Sequence, residues 1–149
     1  MSAAEVVADA SLALKWVFDE PFSAQAHALL NQWRADRRRV LAPALFLYEV
    51  TNALAKRMQR RQLTLEQAKL LLRFFLETGP VLKQADSIHP RALELMDRFG
   101  LPAAYDAHYL ALAESEQCEC WTADERLWNA VKRELGWVRW IGELAPGGS

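Results

Sequence analysis

Glu5-Val6-Val7-Ala8-Asp9-Ala10-Ser11 decides the fold. A short β-prone run ends on a carboxylate and leads directly into a helix start at Ser11, a residue type suited to the N-cap. We read Glu5 to Asp9 as the first strand and Ser11 to Phe18 as a short helix, interrupted by Pro21. Beyond Pro21 the pattern repeats. Ala26, Leu29, Leu30 and Trp33 recur at helical spacing within 23–36, and Val40-Leu41-Ala42 is a strand ended by Pro43. Leu45, Tyr48, Thr51, Asn52, Ala55 and Met58 mark a helix over 44–61. Thr64-Leu65-Glu66-Gln67 has the capping-box form and opens a helix over 64–77, stopped by Gly79-Pro80. Val81-Leu82 is a weak strand, and 87–99 is a helix with Gly100 as its C-terminal stop. The helix after Pro102 is apolar almost all round, which predicts a buried one. A strand over 119–122, a helix over 124–134 and a strand over 137–140 complete the chain. Short strands alternating with helices predict an α/β fold, three layers α/β/α, with a short-stranded and mainly parallel sheet.

The chain has 149 residues, which predicts one domain over 1–145 with a flexible tail at 146–149. A chain of this length buries enough surface to fold without disulfides or a structural metal. Net charge is −1, so the chain lacks the basic excess of a protein that coats nucleic acid, and any such contact needs a local patch. Cys118 and Cys120 have no further ligands around them and read as reduced thiols rather than a zinc site. The first residues lack a basic segment followed by an apolar run, which predicts no secretory signal. No apolar stretch reaches membrane-spanning length, so the cytoplasm is the expected location.

Ligands in parallel sheets sit beyond the carboxyl ends of the strands. Asp9 ends the first strand there and Asp124 follows the 119–122 strand. Two further carboxylates interrupt apolar helical surfaces: Glu49 among Leu45, Leu47, Val50 and Ala53, and Asp106 near the start of the most apolar helix. A carboxylate in such surroundings costs several kcal/mol unless it is paired or bound to metal. Each has a structural alternative. Asp9 and Asp124 fit helix caps, Thr122 to Glu125 fits a capping box, and Asp106 suits a helix dipole. Glu49 sits mid-helix and has the weakest such alternative. No Lys or Arg lies within three residues of Glu49 or Asp106. A hard divalent cation with oxygen ligands, Mg²⁺ or Mn²⁺, relieves the repulsion among such groups and stabilises charge on a phosphate.

Four segments carry a resemblance: Val7-Ala8-Asp9-Ala10-Ser11, Tyr48-Glu49-Val50-Thr51-Asn52-Ala53-Leu54, Tyr105 to Glu114, and Thr122-Ala123-Asp124-Glu125-Arg126-Leu127. In this order and spacing they resemble the PIN-domain ribonucleases, especially the VapC-type toxins of prokaryotic toxin–antitoxin pairs. The resemblance implies an acidic metal-binding and catalytic set of Asp9, Glu49, Asp106 and Asp124, supported by Ser11, Asn52 and Thr122. It also implies an RNA substrate, a cognate antitoxin and a homodimer. Asn52 lies one turn beyond Glu49, as an orienter of that carboxylate would. Basic residues available to guide RNA are Arg34 and Arg37 to Arg39, then Lys56, Arg57, Arg60 and Arg61. His108 reads as structural. The alternatives are a housekeeping RNA-processing nuclease and a phosphorylation receiver, which leaves Glu49 and Asp106 without a role.

Overall fold

The computed structural model describes residues 1–144; the tail expected at 146–149 and residue 145 of the expected domain lie outside the described residues. Its elements run β1 (Glu5–Ala8), α1 (Ala10–Ala13), a 3₁₀ turn (Leu14–Trp16), α2 (Ser23–Ala35), β2 (Arg39–Ala42), α3 (Leu45–Gln59) and α4 (Leu65–Thr78). They continue with β3 (Val81–Leu82), α5 (Ile88–Phe99), α6 (Ala104–Glu116), β4 (Glu119–Thr122), α7 (Glu125–Val131), β5 (Val138–Trp140) and a second 3₁₀ turn (Ile141–Glu143).

The five strands form one sheet in the order β3-β2-β1-β4-β5, and every neighbouring pair is parallel. β1 is central and pairs Val6 with both Val40 and Glu119. Val6, Val7 and Ala8 are fully buried, as a strand covered on both faces requires. From β1 the chain moves outward through β2 and β3, then crosses back to β4 and moves outward again through β5. Parallel neighbours joined through helices carry those helices on both faces of the sheet, which yields the three layers α/β/α. The direction of winding reverses between β1 and β4. That reversal opens a crevice at the carboxyl ends of these two strands.

The predicted Thr64 capping box is present, with Gln67 reciprocating, and Gly100 ends α5 in the left-handed region at φ 64°. The first helix differs from expectation. It starts at Ala10, it turns 3₁₀ after Ala13, and its N-cap is Asp9 rather than Ser11. The physical reason is geometric: the Asp9 carboxylate accepts the Leu12 N–H at 3.0 Å, which frees the Ser11 hydroxyl for side-chain partners. Three tryptophans, Trp16, Trp33 and Trp121, meet edge to face in the core. The aromatic count is thus absorbed in good part by packing. Among the described residues no helix is long and apolar enough to cross a membrane.

Candidate metal centre

Asp9 extends β1 by one residue, its N–H bonded to the Trp121 carbonyl at 3.1 Å. Its side chain is 3% exposed and makes three hydrogen bonds. Ser11 Oγ and the Leu12 N–H donate to Oδ1 at 2.7 and 3.0 Å, and Thr122 Oγ1 donates to Oδ2. Thr122 comes from the end of β4, so the bond ties the two strands of the crevice together. The same hydroxyl accepts the Asp124 N–H at 2.9 Å, and Ser11 Oγ accepts the Ala123 N–H at 3.0 Å. Ser11 and Thr122 thus both hydrogen-bond the Asp9 carboxylate. Thr122 is not a capping-box residue. The cap of α7 is Asp124 itself, whose Oδ1 accepts from Arg126 and Leu127 N–H.

Glu49 lies on the second turn of α3 and Asp106 on the first turn of α6. Tyr109, one turn after Asp106, is almost fully buried and donates its hydroxyl to Glu49 Oε1 at 2.5 Å. Residue-by-residue reading treats Tyr109 as one more apolar position of α6. Its signal is the single polar tip in a run of Ala and Leu, one turn from an acid. Asn52 lines the same cleft as Glu49, but no hydrogen bond joins the two.

The four carboxylates lack positive partners. No Lys, Arg or His lies within ion-pair distance of Asp9, Glu49, Asp106 or Asp124 among the described residues, whereas Glu5, Glu20, Glu114, Glu116 and Glu119 are all paired. Burial pushes the Asp9 carboxyl up to about 7, against the hydrogen bonds from Thr122, Ser11 and Leu12 and with a further upward push from Asp106. Burial also raises Glu49, partly offset by the Tyr109 hydroxyl and by His108, and Asp106 raises it further. Asp106 is raised by burial and by Asp124. Asp106 is thus the electrostatic hub, interacting with each of the other three.

An all-oxygen, anionic set of this kind suits a hard divalent cation. The unused lone pairs fit that role. A carboxylate oxygen accepts two bonds. Asp9 keeps one free position on Oδ2, Glu49 keeps Oε2, Asp124 keeps Oδ2, and Asp106 keeps both oxygens. Among the described residues no three acidic, His or Cys side chains enclose an ion unaided. Mg²⁺ asks for less, since it binds through one or two carboxylates and retains several waters.

Beside the acids runs a basic groove of about 340 Å³ that begins at Ser11 and Ala123. Glu20 bridges Lys15 at 3.2 Å and Arg57 at 3.0 Å, and the Arg57 guanidinium lies 3.6 Å over the Phe18 ring. Lys56 and Arg60 line the groove and make no ion pair there. Arg61 is exposed but lies outside it. The other basic run points elsewhere: Arg38 bonds the Glu5 carbonyl and Arg39 pairs with Glu5, at the amino edge of the sheet. Lys15 is a groove residue that composition alone does not single out. Cys118 and Cys120 are free, buried thiols, as expected.

The sequence matches the PIN domain family over residues 6–133. The fold resembles the crystal structure of PAE2754 from Pyrobaculum aerophilum, with a TM-score of 0.66 and 24% identity over 92% of this chain and 84% of that one. No curated protein sequence matches the chain. With the family match spanning most of the sequence and all four acidic positions, this chain belongs to the PIN-domain family, whose members are generally metal-dependent nucleases acting on RNA.

Proposed function

We propose that this protein hydrolyses RNA phosphodiester bonds with Mg²⁺ or Mn²⁺, as the toxin of a toxin–antitoxin pair acting in the cytoplasm. The observation that carries the catalytic part is the set of four carboxylates without cations at the β1–β4 crevice, with Asp106 interacting with the other three. Asp9, Glu49, Asp106 and Asp124 would hold the ion. When bound, such an ion neutralises charge building on the phosphate and lowers the pKa of coordinated water.

The chain's own groups do the rest. Ser11, Thr122 and the Leu12 N–H fix the Asp9 carboxylate, so its remaining lone pair has one direction. Tyr109 fixes Glu49 in the same way. Lys56, Arg57 and Arg60 offer positive charge to the phosphates that flank the acids, which would otherwise repel a polyanion. The Glu20 bridge holds Lys15 and Arg57 in place at rest.

The toxin reading rests on the resemblance and on an apolar surface. Leu54, Met58, Leu65, Ala68 and Leu72 line a depression of about 130 Å³ between α3 and α4, and Leu65, Leu70 and Leu76 are exposed. An amphipathic helix of an antitoxin would cover this surface and extend an Arg toward the carboxylates, whose geometry its fork matches. We infer a homodimer from the family resemblance.

Asp9→Asn, Glu49→Gln and Asp106→Asn should each lower Mg²⁺-dependent cleavage of total cellular RNA by about 100-fold or more. Full activity in excess EDTA would refute the mechanism.

Asp9 also sets a pH dependence. In the metal-free protein its pKa is about 7, against an ordinary 3.8, so the folded state keeps a proton that the unfolded chain has lost. Its contribution to stability is complete below about 4 and is lost as pH rises through about 7. Metal-free wild type should therefore lose a few kcal/mol across this window, and Asp9→Asn should lose less, because only the raised Glu49 and Asp106 carboxyls remain. Denaturant melts in EDTA at several pH values measure this; parallel curves for the two proteins would contradict it.

Co-expression with the neighbouring open reading frame tests the partner. A co-purifying protein that suppresses the nuclease is expected. An active nuclease with no partner and no toxicity identifies a housekeeping RNA-processing enzyme instead.

A further inference from the structure

Two tyrosines stand beside the carboxylates without serving them. Tyr48 precedes Glu49 on α3, and Tyr105 precedes Asp106 on α6. Successive helical residues project about 100° apart, so each ring flanks its acid rather than covering it. Both rings are turned outward, 75% and 61% exposed. Exposed large aromatics are costly surface for a protein to leave uncovered, and two of them at one site ask for an occupant.

The two rings border a pair of adjoining clefts. One, of about 330 Å³, is lined by Leu45, Tyr48, Glu49, Asn52 and Tyr105. The other, of about 270 Å³, runs from the same two tyrosines past Pro43 to His89 and His108. The first reaches the lower end of the size range of small-molecule sites, and the second adjoins it. Leu45, Tyr48 and Asn52 share a face of α3 by their spacing, so this wall rests on regular structure.

The chemistry of these clefts differs from that of the basic groove. No Lys or Arg lines either one. The two histidines are tied to their neighbours through their ring nitrogens. His108 Nδ1 donates to the Ala104 carbonyl at 2.7 Å, since a carbonyl only accepts. Its Nε2 shares a hydrogen bond with His89 Nδ1 at 2.9 Å, and His89 Nε2 shares one with the Gln84 amide at 3.0 Å. With no cation along either cleft and the Glu49 carboxylate bordering one, the depression repels a phosphate and suits a flat, neutral ring. Asn52 adds an amide with no hydrogen-bond partner among the described residues, a donor and an acceptor for the edge of such a ring.

We propose that Tyr48 and Tyr105 form a stacking site for the nucleobase next to the phosphodiester held at the carboxylates, with Asn52 reading its edge. The inference rests on the ribonuclease reading. It divides the substrate between two flanks: flanking phosphates enter the groove of Lys56, Arg57 and Arg60, and one base leaves its stack to enter the tyrosine cleft. Unpaired RNA is the matching substrate class, because only an unstacked base presents its face and edge together. Base–aromatic stacking tolerates every base, so Asn52 rather than the tyrosines would set a preference.

The test uses the intact protein and a short single-stranded RNA, with a matched RNA in which single nucleotides are replaced by abasic ribose. Cleavage in Mg²⁺ is followed as KM and kcat, and binding in EDTA by fluorescence anisotropy. Tyr48→Leu and Tyr105→Leu should each weaken binding and raise KM about tenfold. Tyr48→Phe and Tyr105→Phe should stay within about twofold, because the ring is kept. With the abasic nucleotide at the cleft, wild type and the leucine variants should bind alike. Wild type that cleaves normally while the leucine variants keep KM, affinity and cut position unchanged would overturn the stacking site and leave the nuclease reading intact. Leucine variants weakened equally with and without the base would also overturn it. Unchanged RNA binding with loss of a co-purifying protein partner would assign the tyrosines to protein docking and overturn it too. Failure of wild type to cleave at all would refute the nuclease reading separately, and binding in EDTA would still decide the stacking site.

Discussion

The carboxylate of Asp9 is buried at the end of the central strand, at the point where the sheet reverses its direction of winding. Everything around it is arranged to make that burial tolerable. The N–H of Leu12 starts α1, the hydroxyl of Ser11 reaches back from that helix, and the hydroxyl of Thr122 reaches across from β4. These bonds join β1, α1 and β4 through one side chain. They offset part of the desolvation and also aim the one lone pair left over.

Asp9 alone would be a well-capped structural residue. Its neighbours set it apart from an ordinary cap. Asp106, Glu49 and Asp124 come from three other elements and bring no cation with them. A folded protein gains nothing in stability from assembling four acids in this way, because like charges in a partly dry crevice raise one another's pKa. Elsewhere the same chain pairs its acids with care, as in Lys15–Glu20–Arg57 and Lys83–Glu116. The contrast marks the crevice as the place where stability has been traded for charge.

Much of this was legible in the sequence, for identifiable reasons. The alternation of short strands and helices is a local property, so the α/β class and the five strands could be read from propensity and periodicity. Asp9 and Asp124 follow from the rule that ligands gather at strand carboxyl ends, and Glu49 and Asp106 from their interruption of apolar helix faces. The supports Ser11 and Thr122 were implied by the family resemblance, and their hydrogen bonds to Asp9 agree with it. What was not legible depends on contacts between distant segments. The Tyr109–Glu49 bond spans 60 residues, and the basic groove joins Lys15 to Arg57 through Glu20. Both Asp9 and Ser11 read as caps in the sequence, and only backbone placement decides that Asp9 takes the Leu12 N–H. Exposure of Tyr48 and Tyr105 was likewise invisible, since apolar spacing assigns Tyr48 to a buried face.

The most direct measurement is thermal unfolding of wild type and Asp106→Asn in EDTA and through a Mg²⁺ titration. If Asp106 is the hub of an acidic centre that a cation must neutralise, removing its charge relieves the metal-free protein, and the variant melts higher than wild type in EDTA. Mg²⁺ then raises the melting temperature of wild type more than that of the variant. A variant that melts several degrees lower in EDTA, with Mg²⁺ shifting both proteins equally, would contradict this and make Asp106 a structural residue at the start of α6.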